Sequence, residues 1–273
     1  MLENFESISP TAIVTSYPRT FTDIPYEKTI YEWLCTNCNE KVNLNKMLAP
    51  EIEARYKLTN KLLELTKINQ VLEIAAGYSS RGIIYSKKDY RYVEMDLEGV
   101  VKNKNELLKE LNLNNENLHV INGSALNYED FNKSNQYFRK DKELAIINEG
   151  LLRYLTFDEK KIVATNIYKM LKEYNGIWIT CDVTPKKFIK SQNNVNPELN
   201  SNLNDVTSRN DLKDRFEDFN HIKKFMKEIG FSNVEIHKFS EVKDDIKSFD
   251  ILNIDKEQYD ELLENAIVAI ITI

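Results

Sequence analysis

The stretch AIINEGLLRYLT, residues 145–156, sets Glu149 between two apolar runs. A carboxylate there is costly to bury without a partner. Upstream, Gly77 in EIAAGYSSRG follows one apolar run, and Asp96 ends the next. The acid comes about twenty residues after the glycine, the distance at which a carboxylate beyond a second strand meets a ribose diol. A carboxylate in that position accepts two hydroxyl hydrogen bonds at once. Gly77 permits the tight turn, Glu73 closes the strand before it, and Ser79 or Ser80 can cap the helix that follows. The pair points to an adenosine-containing cofactor.

Two cofactors compete for this arrangement. A nicotinamide dinucleotide needs the backbone close to its pyrophosphate, normally through G-x-G-x-x-G. Here Ala75 and Ser79 stand in place of glycines. S-adenosylmethionine carries no phosphate and asks instead for a carboxylate clamp, a polar neighbour for its ammonium and an acid for its ribose. The sequence holds candidates for each. An NAD(P)-dependent oxidoreductase and a catalytically degenerate cofactor-binding protein are the competing readings.

Other reactive residues carry less. Tyr168 and Lys172 have the Y-x-x-x-K spacing of short-chain dehydrogenases, but with no glycine fingerprint they read as the solvent face of a helix. Cys35 and Cys38 form a CxxC with neither a second CxxC nor a His pair, so no metal site is expected. Of the histidines, His119 and His237 fall in strand patterns. His221 opens a helix beyond a polar segment and is the one placed to approach an acceptor.

The elements that must position these residues alternate in period. Strand patterns at 70–76, 90–96, 117–122, 143–148 and 176–182 are separated by helical stretches, which predicts a parallel sheet with crossover helices. Helix 157–174 has Thr156 and Glu159 at capping-box spacing, an apolar face of Ile162, Val163, Ile167, Met170 and Leu171, and Asn175-Gly176 as its stop. Strands at 233–239 and 266–273 complete an α/β fold with a seven-stranded, mostly parallel sheet and helices on both faces. Residues 1–69 read as an N-terminal helical layer packed on the domain formed by 70–273. The Asn-rich segment 183–218 reads as a lid. Ligands of such sheets bind beyond the carboxyl ends of the strands, where the strand order reverses.

Composition narrows the classes further. A chain of 273 residues with 42% hydrophobic residues buries a full core, and no apolar run approaches the length of a membrane span. Three cysteines, an acidic start and the lack of an apolar leader fit a cytoplasmic protein. A formal charge of −6 with dispersed lysines disfavours nucleic acid as the main partner.

VLEIAAGYSSRG, YVEMDLEGVVKNKNELL and INEGLLRYLT together resemble the leucine carboxyl methyltransferase-like family. These are class I, Rossmann-like S-adenosylmethionine enzymes with E-x-G-x-G-x-[DS]-[TS]-R, V-D-[LF]-P and E-G-[VL]-L-x-Y-[LM] motifs. PRTFTDIPY and APEIEARYKLTN resemble the family's N-terminal region, and the resemblance spans roughly residues 8–180. It implies that Arg19 and Arg55 face the cofactor's methionine carboxylate, that Gly77 makes room for the methionine part, and that Asp96 binds the ribose. It also implies that Glu149 sits beside the amino group, with Ser124 and Ala125 at the adenine edge and Glu73 in support. Ala75 and Ser124 depart from the family pattern, which has glycine and aspartate there. The implied reaction is O-methylation of a small-molecule or peptide carboxylate, or of a hydroxyl, by in-line transfer. A carboxylate is ionised at neutral pH and needs no general base. Tyr154, Arg153 and His221 are the candidates for the acceptor pocket.

Overall fold

The computed structural model describes residues 9–37, 44–195 and 214–273. Cys38 and the middle of the Asn-rich segment lie outside them. Seven strands form one sheet: β1 (Gln70–Ile74), β2 (Arg91–Asp96), β3 (Leu118–Asn122), β4 (Ala145–Asn148), β5 (Ile177–Thr180), β6 (Asn233–Lys238) and β7 (Ile267–Thr272), in the order β3-β2-β1-β4-β5-β7-β6. Each falls inside or within one residue of its predicted range. The first five pair in parallel, and β7 runs antiparallel between β5 and β6. From β1 the chain moves outward through β2 and β3, then returns to place β4 on the other side of β1. The order therefore reverses between β1 and β4.

The period of two in the strands sorts side chains onto two faces. After the first helix, α1 (Ser9–Arg19), come α2 (Glu27–Asn37), α3 (Ala49–Thr66), α4 (Arg81–Ser86) and α5 (Glu98–Glu110), which share one core with Val71, Tyr92, Ala145, Ile147 and Ile179. Leu72, Ile74, Val93, Ile146 and Trp178 share the other with α6 (Tyr128–Ser134) and α7 (Phe157–Tyr174). The N-terminal helices thus cover one face of the sheet, with Leu58, Leu62 and Leu63 of α3 beside Val71.

Helix α7 has the predicted capping box between Thr156 and Glu159, and Asn175 ends it in the left-handed region at φ 51°. One expected core residue is displaced: Ile162 is 45% exposed, because Val163, Ile167, Met170, Leu171 and Tyr174 fill the buried stripe and leave it on the flank. Tyr168 is half-buried edge-on against Phe231, and Lys172 is exposed.

The segment read as a lid begins with a helix, α8 (Lys186–Val195). Its polar composition hid a docking face: Gln192 donates to both oxygens of Glu51 at 2.8 Å, and Ser191 donates to Glu261 at 3.2 Å. The later helices α9 (Phe219–Ile229), α10 (Ser248–Leu252) and α11 (Asp260–Asn265) complete the layers. No helix among the described residues is long and apolar enough to cross a membrane.

Candidate functional site

A cavity of about 580 Å³ opens at the carboxyl ends of β1, β2 and β4, at the reversal of strand order. Its size lies within the range of small-molecule sites. Arg19, Arg55, Gly77, Asp96, Ser124, Ala125, Glu149, Arg153 and Tyr154 all line it. The geometry brings together, from six separate chain segments, nearly every residue selected by the sequence.

The β1 turn is built around positive φ. Ala75 has φ 52° and Gly77 φ 55°, which points the Gly77 N–H at Asp96 Oδ2, 2.7 Å away. The other Asp96 oxygen accepts the Leu97 N–H at 2.7 Å. Burial raises the Asp96 carboxyl above its usual range, and the two backbone donors work against that rise. Ser79, rather than Ser80, stabilises the start of α4, its hydroxyl accepting the Arg81 N–H at 3.2 Å.

Glu149 lies at the centre of an ionic chain. Its Oε2 is 3.0 Å from Arg55 Nε, and its Oε1 pairs with Arg81. Burial pushes this carboxyl up, but Arg81, Arg55 and Arg19 outweigh burial and hold it down at about 2. Arg81 is fully buried, also pairs with Glu73, donates to Asn60 Oδ1 at 2.7 Å, and stacks over the Tyr56 ring at 4.5 Å. Sequence reasoning assigned Arg81 no role, although it is the arginine that ends the first motif.

Glu73 is not at the cavity wall. Its carboxylate lies beneath, spent on Arg81 and on the Tyr92 hydroxyl, which donates at 2.7 Å. The reason is register: Glu73 and Glu94 sit opposite each other on β1 and β2, two buried acids on one face. Like charges at that distance need separate compensation. Arg81 from α4 supplies it for Glu73, and Lys104 from α5 supplies it for Glu94, with Nζ 3.0 Å from Oε2. Lys104 also donates to the carbonyls of Ser79 at 2.5 Å and Gly77 at 3.4 Å, so the same cation braces the turn beside Asp96.

The loop after β4 is held by Asp182, at the end of β5. Its carboxylate accepts the N–H groups of Gly150, Leu151 and Leu152 at 2.8, 2.7 and 3.0 Å, and Asn148 Nδ2 at 2.6 Å. Gly150 adopts φ 77°, which turns the loop back over the cavity. Asp182 escaped sequence reasoning because only the fold brings it to this loop. Ser124 donates its backbone N–H to Asp130 Oδ2 at 2.9 Å, so an aspartate reaches this corner from six residues downstream.

His221 does not reach the cavity. It stacks on Phe157 at 5.2 Å, and its Nδ1 accepts the Glu217 N–H at 3.3 Å, as part of the start of α9. Among the described residues there is no cluster of His, Cys, Asp and Glu that suits a metal ion.

No family model and no curated protein matches the chain. Solved structures do. A DUF574 family protein from Streptomyces avermitilis aligns at TM-score 0.60 and 13% identity, over 96% of each chain. A Thermobifida fusca protein described as a candidate methyltransferase aligns at TM-score 0.58 and 12% identity, over 95% of this chain and 94% of that one. Magnesium protoporphyrin IX methyltransferase from Synechocystis PCC 6803, solved with bound SAH, aligns at TM-score 0.52 and 9% identity, over 91% and 96%. The chain has the Rossmann-like, mostly parallel seven-stranded fold of these methyltransferase structures. At such identities the likeness establishes the fold alone.

Proposed function

We propose that this protein is an S-adenosylmethionine-dependent methyltransferase of the leucine carboxyl methyltransferase-like kind, acting on an oxygen, preferably a carboxylate, of a small-molecule or peptide acceptor. The observation that carries this reading is a buried arginine donor without a partner beside an ion pair in the cavity. Arg19 lines it, is 6% exposed, and its Nε has no hydrogen-bond partner, while Arg55 and Glu149 stand close by as an ion pair. A buried polar atom without a partner calls for one, and at Arg19 the cavity is where it can come from.

The residues fit the proposed cofactor. Arg19 and Arg55 would hold its carboxylate, Glu149 its ammonium, and Asp96 its ribose hydroxyls, with Gly77 and Gly150 keeping side chains out of the way. The bound cofactor supplies an activated methyl group, so the protein's work is to align the acceptor and exclude water. Leu151, Tyr154 and Leu155 form an apolar wall suited to that task. The fold shared with structures of named methyltransferases supports the reading without extending it to a substrate.

Calorimetry with S-adenosylmethionine and S-adenosylhomocysteine tests it. The wild type is expected to bind both, and Asp96→Ala and Glu149→Gln each to lose about 1.5–3 kcal/mol, tenfold or more in affinity. Lack of binding by the wild type would refute the cofactor assignment. Equal binding by the variants would refute the roles given to Asp96 and Glu149.

A further inference from the structure

Three arginines line the cavity, and two are already neutralised: Arg19 lies 3.5 Å from Glu27, and Arg55 lies 3.0 Å from Glu149. Arg153 has no carboxylate partner among the described residues; its guanidinium lies 5.8 Å from the centroid of the Tyr154 ring. Two further cations, Arg215 and next to it Lys160, stand behind it, outside the cavity lining. Lys160 is buried, and its ammonium bonds to the carbonyls of Leu155 and, at 2.8 Å, Asp214, not to a carboxylate. Burial and the neighbouring Arg215 bring the Lys160 ammonium down to about 8. Burial and Arg153 in turn bring the buried Arg215 guanidinium down to about 10. Asp182 works against the lowering of both cations and Asp214 against that of Lys160. Asp182 holds the 150–152 loop, and Asp214 Oδ1 accepts the Phe157 N–H at 3.2 Å.

A guanidinium on the cavity wall with no carboxylate partner among the described residues is suited to an anion from outside. We infer that Arg153 forms a binding subsite for an oxyanion of the methyl acceptor, at a position other than the oxygen that is methylated. The inference rests on the methyl-transfer reading and adds the class of acceptor: one carrying a second carboxylate or a phosphate.

The distinction between the two anionic groups follows from charge. Methylation of a carboxylate oxygen removes its charge, so a guanidinium paired with that oxygen is held more tightly before transfer than during it, and slows the step. A guanidinium paired with a group whose charge does not change lowers KM without that penalty. Arginine also offers the planar donor pair that matches carboxylate and phosphate oxygens.

The test uses the full chain, first saturated with S-adenosylhomocysteine and then titrated by calorimetry with glutarate or with inorganic phosphate, sodium chloride keeping the ionic strength fixed. The wild-type complex is expected to bind at least one of them in the millimolar range, about −4 kcal/mol. The stronger probe tells a carboxylate subsite from a phosphate one. Arg153→Gln should weaken that binding about tenfold, and Arg153→Lys should retain part of it, a point charge replacing a fork. S-adenosylhomocysteine affinity in Arg153→Gln should stay within about twofold of wild type. If S-adenosylhomocysteine itself does not bind, the methyl-transfer reading fails and takes this inference with it. If it binds but neither probe does, or if Arg153→Gln binds the probes as wild type does, the inference alone is overturned.

Discussion

Arg55 Nε and Glu149 Oε2, 94 residues apart in sequence, lie 3.0 Å from each other on the wall of the cavity. With Arg81 on the other oxygen, the site supplies its own cations to the acid that closes β4. The folded protein holds the Glu149 carboxyl at about 2, whereas an unfolded glutamate titrates near ~4.3. Its ionisation therefore favours folding at every pH above ~4.3, and the contribution is lost as pH falls toward about 2. Glu149→Gln leaves two buried arginines facing a neutral amide and should cost about 3 kcal/mol in urea unfolding at neutral pH. The difference from wild type should shrink steadily below pH ~4. A difference that stays constant through that range would contradict the account.

Glu94 carries the opposite sign. Burial pushes its carboxyl up to about 7 despite the Lys104 ammonium, with Glu73 and Asp96 adding to the rise. The folded state then binds a proton that the unfolded state has released. Stability from this group is greatest below ~4.3, falls as pH climbs to about 7, and is level beyond. Glu94→Gln removes that slope and keeps a carbonyl for Lys104. Its urea stability between pH 5 and 7 should be flatter than wild type by up to about 3 kcal/mol. Parallel curves for the two proteins would show that Glu94 does not titrate there.

All seven strands were legible because buried β-strands and an amphipathic helix with a capping box write their periods directly into the sequence. The cavity followed from the rule that ligands gather at the strand ends. What stayed hidden was the ionic layer beneath. Glu73 reads as a strand-end acid supporting the site through the turn that follows it, yet the register opposite Glu94 commits it to Arg81. Asp182 and Lys104 act through partners that only the folded chain brings near, so no local spacing announces them, whereas Arg81 ends the motif that Glu73 opens. His221, at a helix start next to a polar segment, reads as able to approach an acceptor, whereas Phe157 and Phe216 pack against its ring. Helix α8 was obscured by a composition that reads as loop, because its docking contacts are themselves polar.

Asp182 is the residue on which the shape of the cavity wall at Gly150 and Leu151 depends. Three consecutive backbone N–H groups, those of Gly150, Leu151 and Leu152, end on its carboxylate. Asp182→Asn swaps one accepting oxygen for a donor and removes the charge. Hydrogen bonds to charged groups contribute about 1.5–3 kcal/mol, so the expected loss of stability is about 2–3 kcal/mol. Amide exchange at positions 150–152 should accelerate well beyond that in β4. Unchanged protection at those three amides would mean the loop is held by something other than Asp182.

Ala75 holds the β1 turn in a backbone conformation that favours glycine. Its φ of 52° is a conformation glycine adopts freely, and an L side chain pays about 1–2 kcal/mol for it. Glycine at this position gives back part of that gain through the greater freedom of the unfolded chain, about 0.4–1 kcal/mol. The balance favours Ala75→Gly by about 0.5–1 kcal/mol, a rise in Tm of about 2 °C for a chain of this size. The substitution also removes a methyl group from the cavity wall next to Gly77, so cofactor binding should be preserved or tightened. A fall in Tm would place the cost elsewhere, in contacts of the alanine methyl that outweigh its backbone conformation.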